Sequence, residues 1–380
     1  MRLALRCLSL ASLMLVAACA VDTDEQDAET DEAPVRAAQE SLGEKLEPGE
    51  AALVKEIAVA ATTQVEQSLR ESPDRVAKRD AHPKAHGCVT GSFELNAQVP
   101  AELQVGTFKA GKRYDTWIRF SNGSNADDRK NDARGMAIKI LGVDGERLLT
   151  GEEPTARTHD ILLSNHHTFF LSNLADYKQF MEGVATKGNP LSFFISWNPL
   201  DWHLRAGYLA YQFTKQPISS PLTSRYWSAV PYKLGDQVVK YSARPCGDAL
   251  DTSGRHADDA NFLGKALKDG LASGAGACFD FMIQRRAPGM SVEDSTVTWS
   301  EDDAPFVPVG KIKIPAQTFD SPAQQKFCEN LSFTPWHGTK EHRPLGSMNR
   351  TRKVVYEATS SARHRLNGAR RVEPTDLTVR

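Results

Sequence analysis

The sequence carries no surplus of basic charge: 46 lysines and arginines stand against 48 aspartates and glutamates over 380 residues, a formal net charge of −2. A nucleic-acid partner would need positive charge concentrated on one face, and this balance gives no sign of it. Past the N-terminus no apolar run approaches the ~20 residues that a membrane-spanning helix needs. No internal repeat is visible, so the chain is not a tandem array. The six cysteines contain no Cys-x-x-Cys pair, which leaves a structural zinc site without support. With 40% hydrophobic and 25% charged residues the composition is that of a globular protein, long enough for one large domain or two small ones.

The N-terminus reads as an address. "MRLALR" is basic, "CLSLASLMLVAA" is apolar, and "LVAAC" closes the segment at Cys19. Small residues followed by cysteine resemble a bacterial lipobox, which implies a signal peptide over 1–18 and a lipidated Cys19. Ala20, where an inner-membrane retention signal would place Asp, points to the outer membrane. "VDTDEQDAETDEAPV" then carries seven acidic residues and no basic one. Such a stretch self-repels and cannot bury apolar surface, so residues 19–48 are expected to be a solvated tether. A folded domain over 49–368 and a C-terminal tail over 369–380 complete the expected organisation. Four cysteines, Cys88, Cys246, Cys278 and Cys328, lie in the folded part, and outside the cytoplasm they allow three pairings.

"RDAHPKAHGCVTGSFEL" places His82 and His86 four residues apart, with Cys88 two further on. Helical spacing of that kind suits zinc, but Pro83 follows the first histidine and "CVTGSFEL" reads as a strand. A zinc pair has little local support.

Residues 50–71 carry Leu53, Ile57, Ala60, Ala61, Gln64, Val65 and Leu69 near one face, which predicts a helix stopped by Pro73. "CVTGSFEL", "YDTWIRFSNG" and "ARGMAIKILGV" read as short strands separated by turn residues. "DILLSNHHTFFL", residues 160–171, reads as a further buried strand, and 173–215 as mixed, aromatic-rich helix. Strands return at 225–245, 278–286 and 309–314, and the C-terminal region turns helical around Tyr356. The pattern predicts an α+β fold, an antiparallel β-barrel or sandwich core with helical insertions.

Several of these segments, in this order, resemble the haem catalase superfamily, in particular its shorter bacterial members. "RDAHPKAHG" is similar to the family's Arg-x-x-His-Ala-Lys-Gly, "WIRFSNG" and "DARGMAIKI" to its Val-Arg-Phe-Ser and Asp-Pro-Arg-Gly-Phe-Ala-Val-Lys. "LLSNHHTFFL" resembles Asn-Asn-Thr-Pro-x-Phe-Phe, and "NRTRKVVYEAT" resembles Arg-x-x-x-Tyr-x-Asp-Thr. The likeness runs over about residues 75–366. It implies a catalase-like barrel holding haem b, with Tyr356 as the axial iron ligand and His82 as the distal base.

The chemistry explains why these residue types occur together. A tyrosine has an ordinary pKa near 10, so a phenolate ligand needs a neighbouring cation, and Arg352 stands one helical turn before Tyr356. Peroxide heterolysis needs a base that moves a proton between two oxygens, which suits His82. By the resemblance, Asn165 orients the peroxide, Ser121 holds His82, Arg79 and Arg119 pair with the propionates, and Tyr177 covers the haem. His86 is then a structural residue at the entry of a strand.

Departures from the family pattern stand beside these matches. Ala85 replaces a glycine, His166 and His167 replace Thr-Pro, and Ala358 replaces the aspartate after the ligand tyrosine. They favour haem binding over fast dismutation. The expected function is a secreted haem enzyme acting on hydrogen peroxide or an organic hydroperoxide. A hydroperoxide-rearranging enzyme and a haem-storage lipoprotein without turnover are the alternatives. The expected partners are that substrate and, through the lipid alone, a membrane; a homo-oligomer is allowed. The catalase core also places "VVKYSARPC" near "CFDFMIQRR", which implies a Cys246–Cys278 disulfide, with Cys88 reduced beside the pocket and Cys328 free.

Overall fold

Two central strands are apolar and small-residue-rich because both of their faces are covered: β2 (Arg113–Asn122) is buried from Thr116 to Asn122, and β3 (Arg134–Leu141) is buried at every position but Ala137. The computed structural model describes residues 40–149, 156–188, 190–251 and 258–379. The expected signal peptide, Cys19 and the first part of the acidic tether lie outside the described residues.

β1 (Ala85–Leu95) pairs antiparallel with β2, β2 with β3, and β3 with β4 (Thr158–Ser164). On its other edge β1 pairs with β9 (Val307–Ile314), which continues through β8 (Ala277–Arg285) to β7 (Gln237–Pro245). The two-residue β5 (Tyr226–Trp227) bonds both β4 and β7, so eight antiparallel strands close into a barrel, and β6 (Tyr232–Leu234) hangs on β7. Closure leaves no free edge along the ring. Phe93, Phe108, Tyr241 and Phe281 fill the interior with ring centroids 4.9–6.1 Å apart.

Seven α-helices surround the barrel among the described residues. α1 (Glu50–Glu71) has the bounds the apolar stripe predicts, and Pro73 follows it. α1 packs on α2 (Leu174–Lys187) and on the long α7 (Ser347–Leu366) through Ile57, Ala61, Met181 and Val355. α3 (Leu191–Phe194), α4 (Leu204–Thr214), α5 (Phe262–Leu271) and α6 (Pro322–Asn330) complete the set. None of the described helices is long and apolar enough to cross a membrane.

Three expectations need correction. The strand expected over 160–171 ends at Ser164, because the Asn165 side chain takes the place of a ladder carbonyl: its Oδ1 accepts the Arg134 backbone N–H at 2.7 Å. Residues 40–48, assigned to the tether, belong to the folded body. Glu44 is buried there and accepts from Arg343, Arg350 and the Gly346 backbone. Cys88 and Cys328 are neither reduced nor free. They form a disulfide with a Cα–Cα distance of 5.6 Å. The reason is α6, absent from the sequence reading, which lies against β1 and donates from Gln324 to the Cys88 carbonyl at 2.9 Å. Cys246 and Cys278 are bonded as expected, with Cα atoms 5.4 Å apart. Two disulfides point to an exported protein.

The Cys88–Cys328 bond closes a loop of sequence separation 240, against 32 for Cys246–Cys278. Chain entropy makes the longer loop the larger contributor, of order 2–5 kcal/mol. The double substitution Cys88→Ser/Cys328→Ser is expected to lower Tm more than Cys246→Ser/Cys278→Ser does, as read by calorimetry. Equal losses would contradict the loop-length account.

Burial also sets how the fold responds to acid. It depresses the pKa of His82 to about 3 and those of His86 and His342 to about 4. Their ordinary value is near 6.5, so between pH 6.5 and about 4 the unfolded chain holds protons that the folded chain does not. The stability these groups contribute is present above pH 6.5 and is lost as pH falls, by about 1.4 kcal/mol per pH unit for each histidine. Asp80, raised to about 6 by burial, works in the opposite sense and offsets one of them. Tm is therefore expected to fall steadily from pH 6.5 to 4.5, and a flat profile would contradict this burial.

Candidate functional site

One stripe of α7 faces inward. Met348, Arg352, Tyr356, Thr359 and Arg363 recur at three-, four- and seven-residue intervals, and all line a single cavity of about 250 Å³. The rest of the wall comes from the barrel and the segment before it: Arg79 to His82, Arg119 and Ser121 of β2, the Gly135 end of β3, Leu162 to Ser164 of β4, and Ser228 to Val230. Tyr177 of α2 and Phe213 of α4 close it.

On α7, the Arg352 guanidinium donates to the Tyr356 hydroxyl at 3.0 Å and lies 5.0 Å from its ring centre. Burial opposes the charge on Arg352, but the Tyr356 oxygen and the nearby Tyr232 more than offset it and push its pKa up. A proton leaving Tyr356 would leave its negative charge against a fixed cation.

His82 sits in the left-handed region, with φ 58°, anchored by its backbone N–H to Gly123 O at 2.7 Å. Its Nδ1 lies 3.0 Å from Ser121 Oγ. A Cβ on residue 135 would come within 2.7 Å of the imidazole and 2.9 Å of that hydroxyl, so only glycine leaves room for the ring. Burial, then the charges of Arg119 and Arg352, hold the imidazole neutral at ordinary pH. His86 is elsewhere: its Nε2 meets Asn122 Oδ1 at 2.8 Å, outside the cavity wall.

Positive charge gathers at one side. Arg79 is tied to Glu329 at 3.0 Å and to the carbonyls of Cys328 and Leu331. Arg119 donates to the His82 carbonyl at 2.8 Å, while its Nε is buried with no partner. Arg363 bonds the Glu329 carbonyl. Burial and then the charge of Arg79 depress Arg119 well below its ordinary pKa and Arg363 to about 9. Three guanidiniums share two carboxyl groups, Glu329 and the partly buried Asp80, so the group lacks counter-charge.

The structure thus brings together Arg79, His82, Arg119, Ser121, Tyr177, Arg352 and Tyr356. It does not bring Asn165 into the wall: Oδ1 is spent on the Arg134 backbone, and Nδ2 is buried without a partner. Sequence reading missed Arg363 and Asp80. Arg363 was within reach, since it stands seven residues after Tyr356 on the same helix face. Asp80 carried no signal.

Solved structures of catalases superpose on this architecture. A fungal catalase matches with a TM-score of 0.59 over 80% of this chain, at 17% identity. The chain has a catalase-like fold. A bacterial catalase matches with a TM-score of 0.56 over 82% at 18% identity, and catalase A from Saccharomyces cerevisiae with 0.56 over 80% at 16%. This catalase-like chain spans 62–64% of the length of those proteins, a little under two thirds. No family model and no curated protein matches it.

Proposed function

We propose that this chain is an exported haem protein that decomposes hydrogen peroxide or an organic hydroperoxide, anchored by a lipid on Cys19. The observation that carries the reading is the convergence on one cavity of a tyrosine bonded to a partly buried arginine, a neutral histidine held by a serine, and guanidiniums short of counter-charge. These features fit haem b. Its two carboxylates would supply the anions that Arg119 and Arg363 lack and add to the one Arg79 has in Glu329, and Met136, Leu163, Phe169, Val230 and Met348 would flank its apolar ring.

Tyr356 would hold the iron as a phenolate stabilised by Arg352. When bound, haem iron supplies the redox chemistry of peroxide cleavage. The chain supplies the proton handling. With a proton on Nδ1 donated to Ser121, His82 presents the lone pair of Nε2 to the cavity. It takes a proton from one peroxide oxygen and returns it to the other. Its depressed pKa keeps it unprotonated, hence competent, through the neutral range.

The test is to add hydrogen peroxide, and separately cumene hydroperoxide, to the haem-loaded chain and follow oxygen release and peroxide loss. Consumption of either supports the reading. Retained haem with neither consumed would make the chain a haem-holding protein.

A further inference from the structure

A second cavity, of about 190 Å³, is walled by β5, β7, β8 and the segment 298–306. Trp227 lines it, while the next residues, Ser228 to Val230, line the first cavity. Two residues of this wall carry donors without acceptors. Lys240 is only 4% exposed, yet its ammonium has no hydrogen bond or ion pair among the described residues; it lies 4.8 Å over the Trp299 ring. The Trp227 indole N–H is likewise buried with no partner.

The nearby acids are already engaged. Glu301 is bound by Arg225 at 3.0 Å, and Asp294 accepts from the backbone and hydroxyl of Thr296. His167 meets Thr298 Oγ1 at 3.3 Å. A buried donor without an acceptor is costly, and a buried ammonium more so, unless something supplies the missing oxygen. Gln284 spends its N–H groups on the carbonyls of Trp299, Ser300 and Ala304, and the rest of the wall is ring: Trp227, Trp299 and Phe306. An anion on a flat apolar body satisfies both halves of the site.

We propose that this cavity binds a small carboxylate carried on an aromatic or apolar body, its oxygens taking the Lys240 ammonium and the Trp227 N–H. The site is separate from the haem reading and stands whether or not that reading does.

Benzoate is the probe, titrated calorimetrically into the full chain with and without haemin. Saturable binding is expected in both, weakened at least about tenfold by Lys240→Met and by a smaller factor in Trp227→Phe. Without benzoate, Lys240→Met should also melt above the parent chain, because it removes an uncompensated charge; a lysine serving the fold would do the reverse. Failure of benzoate to saturate, binding unchanged in either variant, or a lower Tm in Lys240→Met would each overturn the assignment. Should Lys240→Met not fold, it counts with the lower Tm as a contradiction, and Trp227→Phe alone still decides the binding.

Discussion

Tyr356→Phe loses most of its haem, or keeps it with a changed spectrum, while the fold survives. The substitution removes one oxygen from a side chain that is partly buried on α7, and this oxygen is the partner of Arg352 at 3.0 Å. The partly buried arginine keeps its tie to Asn349 at 3.1 Å, so the loss is of order 1–3 kcal/mol, which a chain with two disulfides should survive. Haem retention, however, rests on the phenolate and its fixed counter-cation. Absorption spectra of parent and variant after haemin loading and gel filtration read the effect directly. Identical spectra would move the ligand elsewhere.

His82→Ala behaves differently: it keeps haem and loses peroxide turnover by ~10²–10⁴-fold. The imidazole reaches the cavity only because residue 82 accepts a positive φ, Gly123 anchors its backbone and Gly135 leaves the space. Those supports lie outside α7, whose Arg352 acts on His82 through its charge, so ligand and base are addressed by different substitutions. His86→Ala should cost far less in rate, since its ring bonds Asn122 away from the cavity. Because burial holds His82 down to about 3, an inflection near 6 in the parent profile is expected from Asp80 and not from His82. Asp80, at about 6, is the cavity group that titrates near neutrality. Equal rates for His82→Ala and the parent would remove His82 from the chemistry.

Much of the fold is legible because its strands and long helices carry strong local signals. α1 has an apolar stripe and a proline stop, and β1 to β3 are runs of β-formers bounded by turn residues. α6 was not legible: "PAQQKFCEN" is polar on most of its surface and only Cys328 is buried, so no stripe announces it. Without that helix the sequence gives no reason to bring Cys328 to Cys88. The end of β4 was hidden for another reason, a side-chain amide standing in for a backbone carbonyl, which no pattern of apolar residues records. At the site, Arg352 and Tyr356 carry a one-turn spacing that suits their chemistry, whereas His82 and Ser121 could be named only through the resemblance to catalases. Asp80 and the second cavity depend on which walls meet in three dimensions.

The central claim is that the cavity beside α7 holds one haem through Tyr356. Titrating haemin into the full chain and following its absorption tests this most directly. The account predicts saturation at one haemin per chain, with a spectrum that Tyr356→Phe abolishes or converts. Binding that never saturates, or a titration identical in Tyr356→Phe, would contradict it.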